Sequence, residues 1–316
     1  MDLQLKGVLP ATVTAFREDG SVDIDAMHRY VDWLCNVPGV TGLVCNGHAG
    51  EGGFLTDEER QRVVRAHVDA AAGRVPVISG ILSDGTMAAA REAERAASAG
   101  AAAALVYPAH SWLRFGYQTG APVDRYRMIH QASGLPSVLF LYPDSTRATF
   151  DIHTILEVCA TGAVTAIKNG VRNMARWDDE VPIIRQEFPA ITQLTCQDEY
   201  LLHTLWEADG ALVGFAALAP ELIVALNAAA ATQQYAEAKA VYDRLAGLTR
   251  SVYRRANHLE ATVALKVGLH ERGLLPAPTV RSPLMPLTSE DEARVRAAVR
   301  NVTSTNQMPP KSATPD

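Results

Sequence analysis

TGLVCNGHAGEGGFLTDEERQRVVRAHVDAAAGRVPVISG, residues 41–80, decides the fold. TGLVCN (41–46) and VPVISG (75–80) are short β-type apolar runs bounded by glycine. Between them TDEERQRVVRAHVDAAA has apolar residues near helical spacing. Thr56 stands at its N-cap and Glu59 three residues on, which predicts a capping box and gives Glu59, with its neighbour Glu58, a structural role. Strand, helix and strand in this order predict two parallel strands joined by a crossover helix.

The same alternation extends in both directions. Further strand candidates are GVLPATVTAF (7–16), AAALVYP (102–108), SVLFLYP (137–143), AVTAIKN (163–169), AITQLTC (190–196) and GALVGFA (210–216), which makes eight in all. Amphipathic stretches such as DIDAMHRYVDWLC and FDIHTILEVCATG separate them. Eight such units predict an α/β fold, a (β/α)8 TIM barrel whose closed sheet buries apolar strands on both faces; a doubly wound open sheet is the alternative. The expected organisation is a barrel over 1–225 and additional C-terminal helices packed on it over 226–302. A polar, proline-bearing tail over 303–316 is expected to be disordered.

The 316 residues are 48% hydrophobic and 20% charged, the balance of a globular chain, and the net charge of −6 gives no electrostatic footprint for nucleic acid. No run approaches the roughly 18 apolar residues of a membrane span and no leader pattern opens the chain, so a cytoplasmic protein with a small-molecule partner is expected. Cys35, Cys45, Cys159 and Cys196 lie far apart in apolar segments, which predicts buried free thiols and no metal site.

The glycine run Gly47-His48-Ala49-Gly50-Glu51 is no phosphate-binding P-loop, because Glu51 stands where a cation is needed, and it lacks the GxGxxG spacing of a dinucleotide site. Its backbone N–H groups suit a compact carboxylate. Lys168 ends the strand-six run AVTAI, so it faces the barrel mouth, where a partly desolvated amine with a lowered pKa can attack a ketone. The other lysines, Lys6, Lys239, Lys266 and Lys311, end no core strand. Tyr142 ends strand five and faces the same mouth, where a phenol can pass protons.

This loop, followed by Leu55-Thr56 and Glu59, resembles the Gly-x-x-Gly-Glu loop of the dihydrodipicolinate synthase/N-acetylneuraminate lyase family of class I pyruvate-type lyases. Gly7 to Phe16, Val77 to Gly80, Tyr142, Arg147, Lys168, Gln197-Asp198 and Gly210 to Pro220 match in order. The resemblance implies that Lys168 forms a Schiff base and Tyr142 shuttles protons. It also implies that Gly47, His48, Ala49 and Gly50 hold the substrate carboxylate, His48 and Ala49 through their N–H groups, and that Arg147 grips a carboxylate at the rim. It implies a homo-oligomer, tetramer or dimer, with no metal or organic cofactor.

The chain departs from the synthases at its loop. They carry two threonines where His48 and Ala49 stand, and their second relay tyrosine, after the strand-four proline, is replaced near His110. His48 or His110 is expected to handle the proton those hydroxyls would relay. The other seven histidines fall in helical patterns and are expected to be structural or exposed. Trp112, Phe115 and Tyr117 offer either an apolar wall at the mouth or a packed loop. The expected activity is aldol cleavage or condensation of a 2-oxo acid, as in a hydratase-aldolase. A 2-oxo-3-deoxy sugar acid dehydratase, a dihydrodipicolinate synthase lacking its relay hydroxyls, and a non-catalytic keto-acid-binding barrel are the alternatives.

Overall fold

A computed structural model describes residues 3–255, 257 and 259–303; the expected tail from 304 onward and His258 lie outside the described residues. Eight parallel strands form at the eight expected runs: β1 (Gly7–Pro10), β2 (Leu43–Cys45), β3 (Val77–Ile81), β4 (Ala103–Val106), β5 (Ser137–Leu141), β6 (Val164–Asn169), β7 (Thr192–Thr195) and β8 (Gly210–Val213). Each pairs with its sequence neighbour from β2 to β8, and β8 pairs back onto β1. Single parallel bridges, Val8 to Val40 and Ala11 to Val44, join the β1 and β2 chains and complete the barrel. Gly210 sits against the Gly7 backbone, which leaves no room for a Cβ and sets the β1–β8 joint.

The helices are α1 (Ile24–Cys35), α2 (Asp57–Ala71), α3 (Thr86–Ser98), α4 (His110–Phe115), α5 (Ala121–Ser133), α6 (Ile152–Cys159), α7 (Met174–Glu187), α8 (Leu201–Thr204), α9 (Phe215–Leu218), α10 (Pro220–Ala231), α11 (Tyr235–Val252), α12 (Glu260–Glu271) and α13 (Ser289–Thr303). Local chemistry starts several of them. Asp23 and Asp151 cap α1 and α6 by accepting main-chain N–H groups, and Thr56 and Glu59 form the expected reciprocal capping box of α2. None of the described helices is long and apolar enough to cross a membrane.

Strand side chains alternate between two cores. Leu9, Val44, Ile78, Leu105, Val138, Ala166, Leu194 and Leu212 fill the barrel interior. Cys45, Ile81, Val106, Leu139 and Ile167 pack outward beneath the helices. A third core is continuous from α1 and β8 into α10–α13, so the C-terminal helices share the barrel's apolar packing.

Candidate active site

Two-residue alternation carries the interior columns up to the mouth. Lys168 stands two residues beyond Ala166, Tyr142 two beyond Phe140, Tyr107 two beyond Leu105, and Cys196 two beyond Leu194. All of them line one cavity of about 360 Å³, together with Gly47, His48, Ala49, Arg172 and Asp198. Lys168 is 7% exposed, and its Nζ lies 4.2 Å from the centre of the Phe140 ring. The Tyr142 hydroxyl is 3.2 Å from His48 Nε2. Burial holds the Tyr142 pKa well above that of an ordinary phenol, so it keeps its proton at neutral pH and donates to Nε2 when the imidazole hydrogen is on Nδ1.

The glycine loop is built to be approached closely. A Cβ on Gly47 would lie 2.8 Å from the Tyr107 hydroxyl, which accepts the His48 N–H at 3.2 Å. That N–H is therefore already engaged, whereas the Ala49 N–H has no acceptor among the described residues. The loop is tied from below by Thr14, which donates to the Gly50 carbonyl at 2.7 Å. Glu51, in a left-handed backbone conformation with φ 53°, turns into the protein. There it forms a fully buried ion pair with Lys266 of α12 and accepts the Arg281 N–H at 2.9 Å. Lys266 also donates to the Thr279 carbonyl at 2.7 Å, and burial lowers its pKa to about 8.

The electrostatics around Lys168 differ from expectation. Burial pulls its ammonium down, but Cys196, Tyr107 and Asp198 pull it up and prevail, leaving the pKa raised where a lowered one was expected. Burial also raises Cys196 and Tyr107, so both are protonated at neutral pH. The anion facing Lys168 is then Asp198, lifted to about 6 by burial and by Glu199. Asp198 accepts the Phe215 N–H at 3.2 Å and is bonded by Tyr253, whose hydroxyl lies over Gly214.

The structure brings together Lys168, Tyr142, His48 and the glycine loop. His110 opens α4, is exposed, and stacks at 6.4 Å from His48, one ring further from Tyr142. Arg147 is exposed and outside the cavity lining, while Arg172 lies within it. Trp112 and Tyr117 pack with Phe150 and Phe115 is 70% exposed, which is the packed loop and not the apolar wall. His28, His67, His130, His153, His203 and His270 all lie in helices, as expected. Tyr107, Arg172 and Tyr253 escaped the sequence reading, and Asp198 entered it only within the matching pair Gln197-Asp198, with no role attached. Alternation from Leu105 was the signal available for Tyr107, and the buried charge of Asp198 had none. No group of residues suited to holding a metal occurs among the described residues.

Fold and site together define a (β/α)8 barrel with a buried amine at the C-terminal end of its sixth strand. The chain belongs to the dihydrodipicolinate synthetase family, whose sequence model matches residues 4–302. It is 32% identical over 294 residues to the 4-hydroxy-tetrahydrodipicolinate synthase of Sphingopyxis alaskensis, covering 93% of this chain and 97% of that one. With the enzyme of the same name from Thiobacillus denitrificans it shares 31% identity over 298 residues, 94% and 96% of the two chains. Among solved structures, dihydrodipicolinate synthase from Aquifex aeolicus superposes with a TM-score of 0.85 at 22% identity, covering 95% of this chain and 98% of that one. The synthase from Bacteroides thetaiotaomicron gives the same TM-score at 23% identity over 95% and 100%. These two structural likenesses concern the fold.

Proposed function

We propose that the protein is a class I lyase of 2-oxo acids, in which Lys168 forms a Schiff base and the bond between C3 and C4 is broken or made by aldol chemistry. The observation that carries this reading is the buried Lys168 amine sharing one cavity with the hydrogen-bonded pair Tyr142 and His48. The substrate carboxylate lies against the Ala49 N–H. The ammonium proton passes by way of water, with Asp198 as the nearby anion that draws it, and the freed amine attacks the ketone. Tyr142 donates the proton with which the carbinolamine loses water. In the cleavage direction Tyr142, backed by His48, takes the proton of the C4 hydroxyl, and the C3–C4 electrons pass into the iminium. The resulting enamine is protonated and hydrolysed to pyruvate, and an aldehyde departs. A small-molecule 2-oxo acid is thus the partner, and a homo-oligomer, dimer or tetramer, is part of the same proposal.

A second reading is the synthase reaction named for the relatives. Their names favour it; the absence of hydroxyls at His48 and Ala49 favours a different second substrate. Condensation of pyruvate with aspartate semialdehyde at a robust rate would decide for the synthase. A hydro-lyase would use the same imine without releasing pyruvate. The prior test is intact mass after borohydride reduction with pyruvate, for the wild type and Lys168→Ala. An adduct in the wild type alone is expected. Its absence with pyruvate and with larger 2-oxo acids would hand the site to the binding-barrel reading.

A further inference from the structure

Arg172 lies four residues beyond Lys168, on the segment joining β6 to α7, and it is the one arginine among the described residues lining the cavity. Its backbone has φ 53°, a left-handed conformation that an arginine rarely adopts. The side chain is 24% exposed, and its Nε stands 3.5 Å from a Glu199 oxygen, on the chain just beyond Asp198. Glu199 is fixed through its carbonyl, which accepts the Tyr242 hydroxyl at 2.7 Å. The only other bond of the guanidinium among the described residues is a long one, 3.4 Å, from Nη1 to the Gly170 carbonyl. A guanidinium has five N–H donors in a planar fork, so Glu199 steadies one edge and leaves the other available.

The glycine loop takes one carboxylate and Lys168 takes the ketone. Once Lys168 is bound covalently to the ketone carbon, Arg172 is the cation among the described lining residues that stays free to pair with a second anion. We infer, building on the Schiff-base reading above, that Arg172 is a specificity-determining residue that grips a second acidic group on the substrate, at the end distant from the 2-oxo carboxylate. The favoured substrate class is therefore 2-oxo acids bearing a second carboxylate or comparable anion. This assignment places the task on Arg172 and not on Arg147, which is exposed and outside the lining.

The test uses imine formation alone, so no aldehyde partner need be known. Nζ adds to the ketone, water leaves, and borohydride delivers hydride to the imine carbon, fixing each bound keto acid as a secondary amine visible by intact mass. 2-Oxoglutarate, 2-oxoadipate and 2-oxopimelate are titrated beside the monoacids 2-oxopentanoate, 2-oxohexanoate and 2-oxoheptanoate, with pyruvate as reference. At least one diacid is expected to half-saturate trapping at a concentration tenfold or more below its monoacid. Arg172→Gln and Arg172→Gly, the second of which relieves the left-handed backbone, should abolish that preference while pyruvate trapping persists; Arg147→Gln should keep it. Equal half-saturation of every diacid and monoacid in the wild type, or a preference that survives both Arg172 variants, overturns the inference. Failure to trap pyruvate or any other keto acid would instead overturn the Schiff-base reading beneath it.

Discussion

Asp198 works against the fold that contains it. Burial lifts its pKa from 3.8 to about 6, so the ionised form is less favourable in the folded chain than in the unfolded one. Between these values the folded state binds more protons. Stability from this group is therefore lost as pH rises from about 4 to 6, and the full cost of about 3 kcal/mol persists above that. Asp198→Asn keeps an acceptor for the Phe215 N–H and removes the charge. Thermal melts should show it more stable than wild type at about pH 7.5, with roughly half that gain near pH 5. A gain equal at both pH values would show that the charge is not the cause. Activity should fall in the same variant, the signature of a residue kept for chemistry. Tyr142→Phe tests the other side of the amine: kcat for aldol turnover should drop about 10²- to 10⁴-fold, while borohydride still traps the residual imine. Undiminished kcat would remove Tyr142 from proton transfer. Lys168 and Tyr142 were legible because each ends an apolar strand run. Arg172 was not, because it follows its strand through a left-handed turn that no periodicity announces.

The glycine loop shows how one element depends on distant ones. Glu51 reaches Arg281, 230 residues away in sequence, and the buried Lys266 of α12. Removing one member of such a pair strands the other charge, so Glu51→Gln or Lys266→Met should each cost about 3–5 kcal/mol in denaturant unfolding. Glu51→Gln combined with Lys266→Met should cost clearly less than the two single losses together. Additive losses would mean that the two side chains act independently. In the folded fraction the KM for the 2-oxo acid should rise more than kcat falls, since the pair sets the loop that receives the carboxylate. The capping box at Thr56 and Glu59 was readable because its partners are three residues apart. The sequence also showed that Glu51 denies the loop a phosphate, but its cationic partner lies in a helix that local pattern cannot link to it.

At the scale of the molecule, the C-terminal helices are structural partners of the mouth as well as of the outer surface. Alternating apolar runs made all eight strands and the barrel legible, since a parallel sheet buried on both faces leaves that pattern in the chain. The same signal identified α10–α13 as helices without showing that they share a core with α1 and β8, or that Tyr253 reaches Asp198. A chain ending at residue 219 should therefore expose Phe215, Leu218 and Met27, leave Glu51 unpaired, and fail to give a cooperative melt while binding a hydrophobic dye. A cooperative melt from that fragment would show the barrel to be self-sufficient. The anchoring of the glycine loop has one more consequence. Gly47 is set by Tyr107, Gly50 by Thr14 and Glu51 by Lys266, so the scaffold grips the two ends of the loop, while His48 turns its ring toward Tyr107 and Tyr142 and Ala49 packs at the top of the barrel core. The loop is a socket with two exchangeable contacts, and a lineage could rewire the reaction there, histidine for hydroxyl, without renegotiating the barrel.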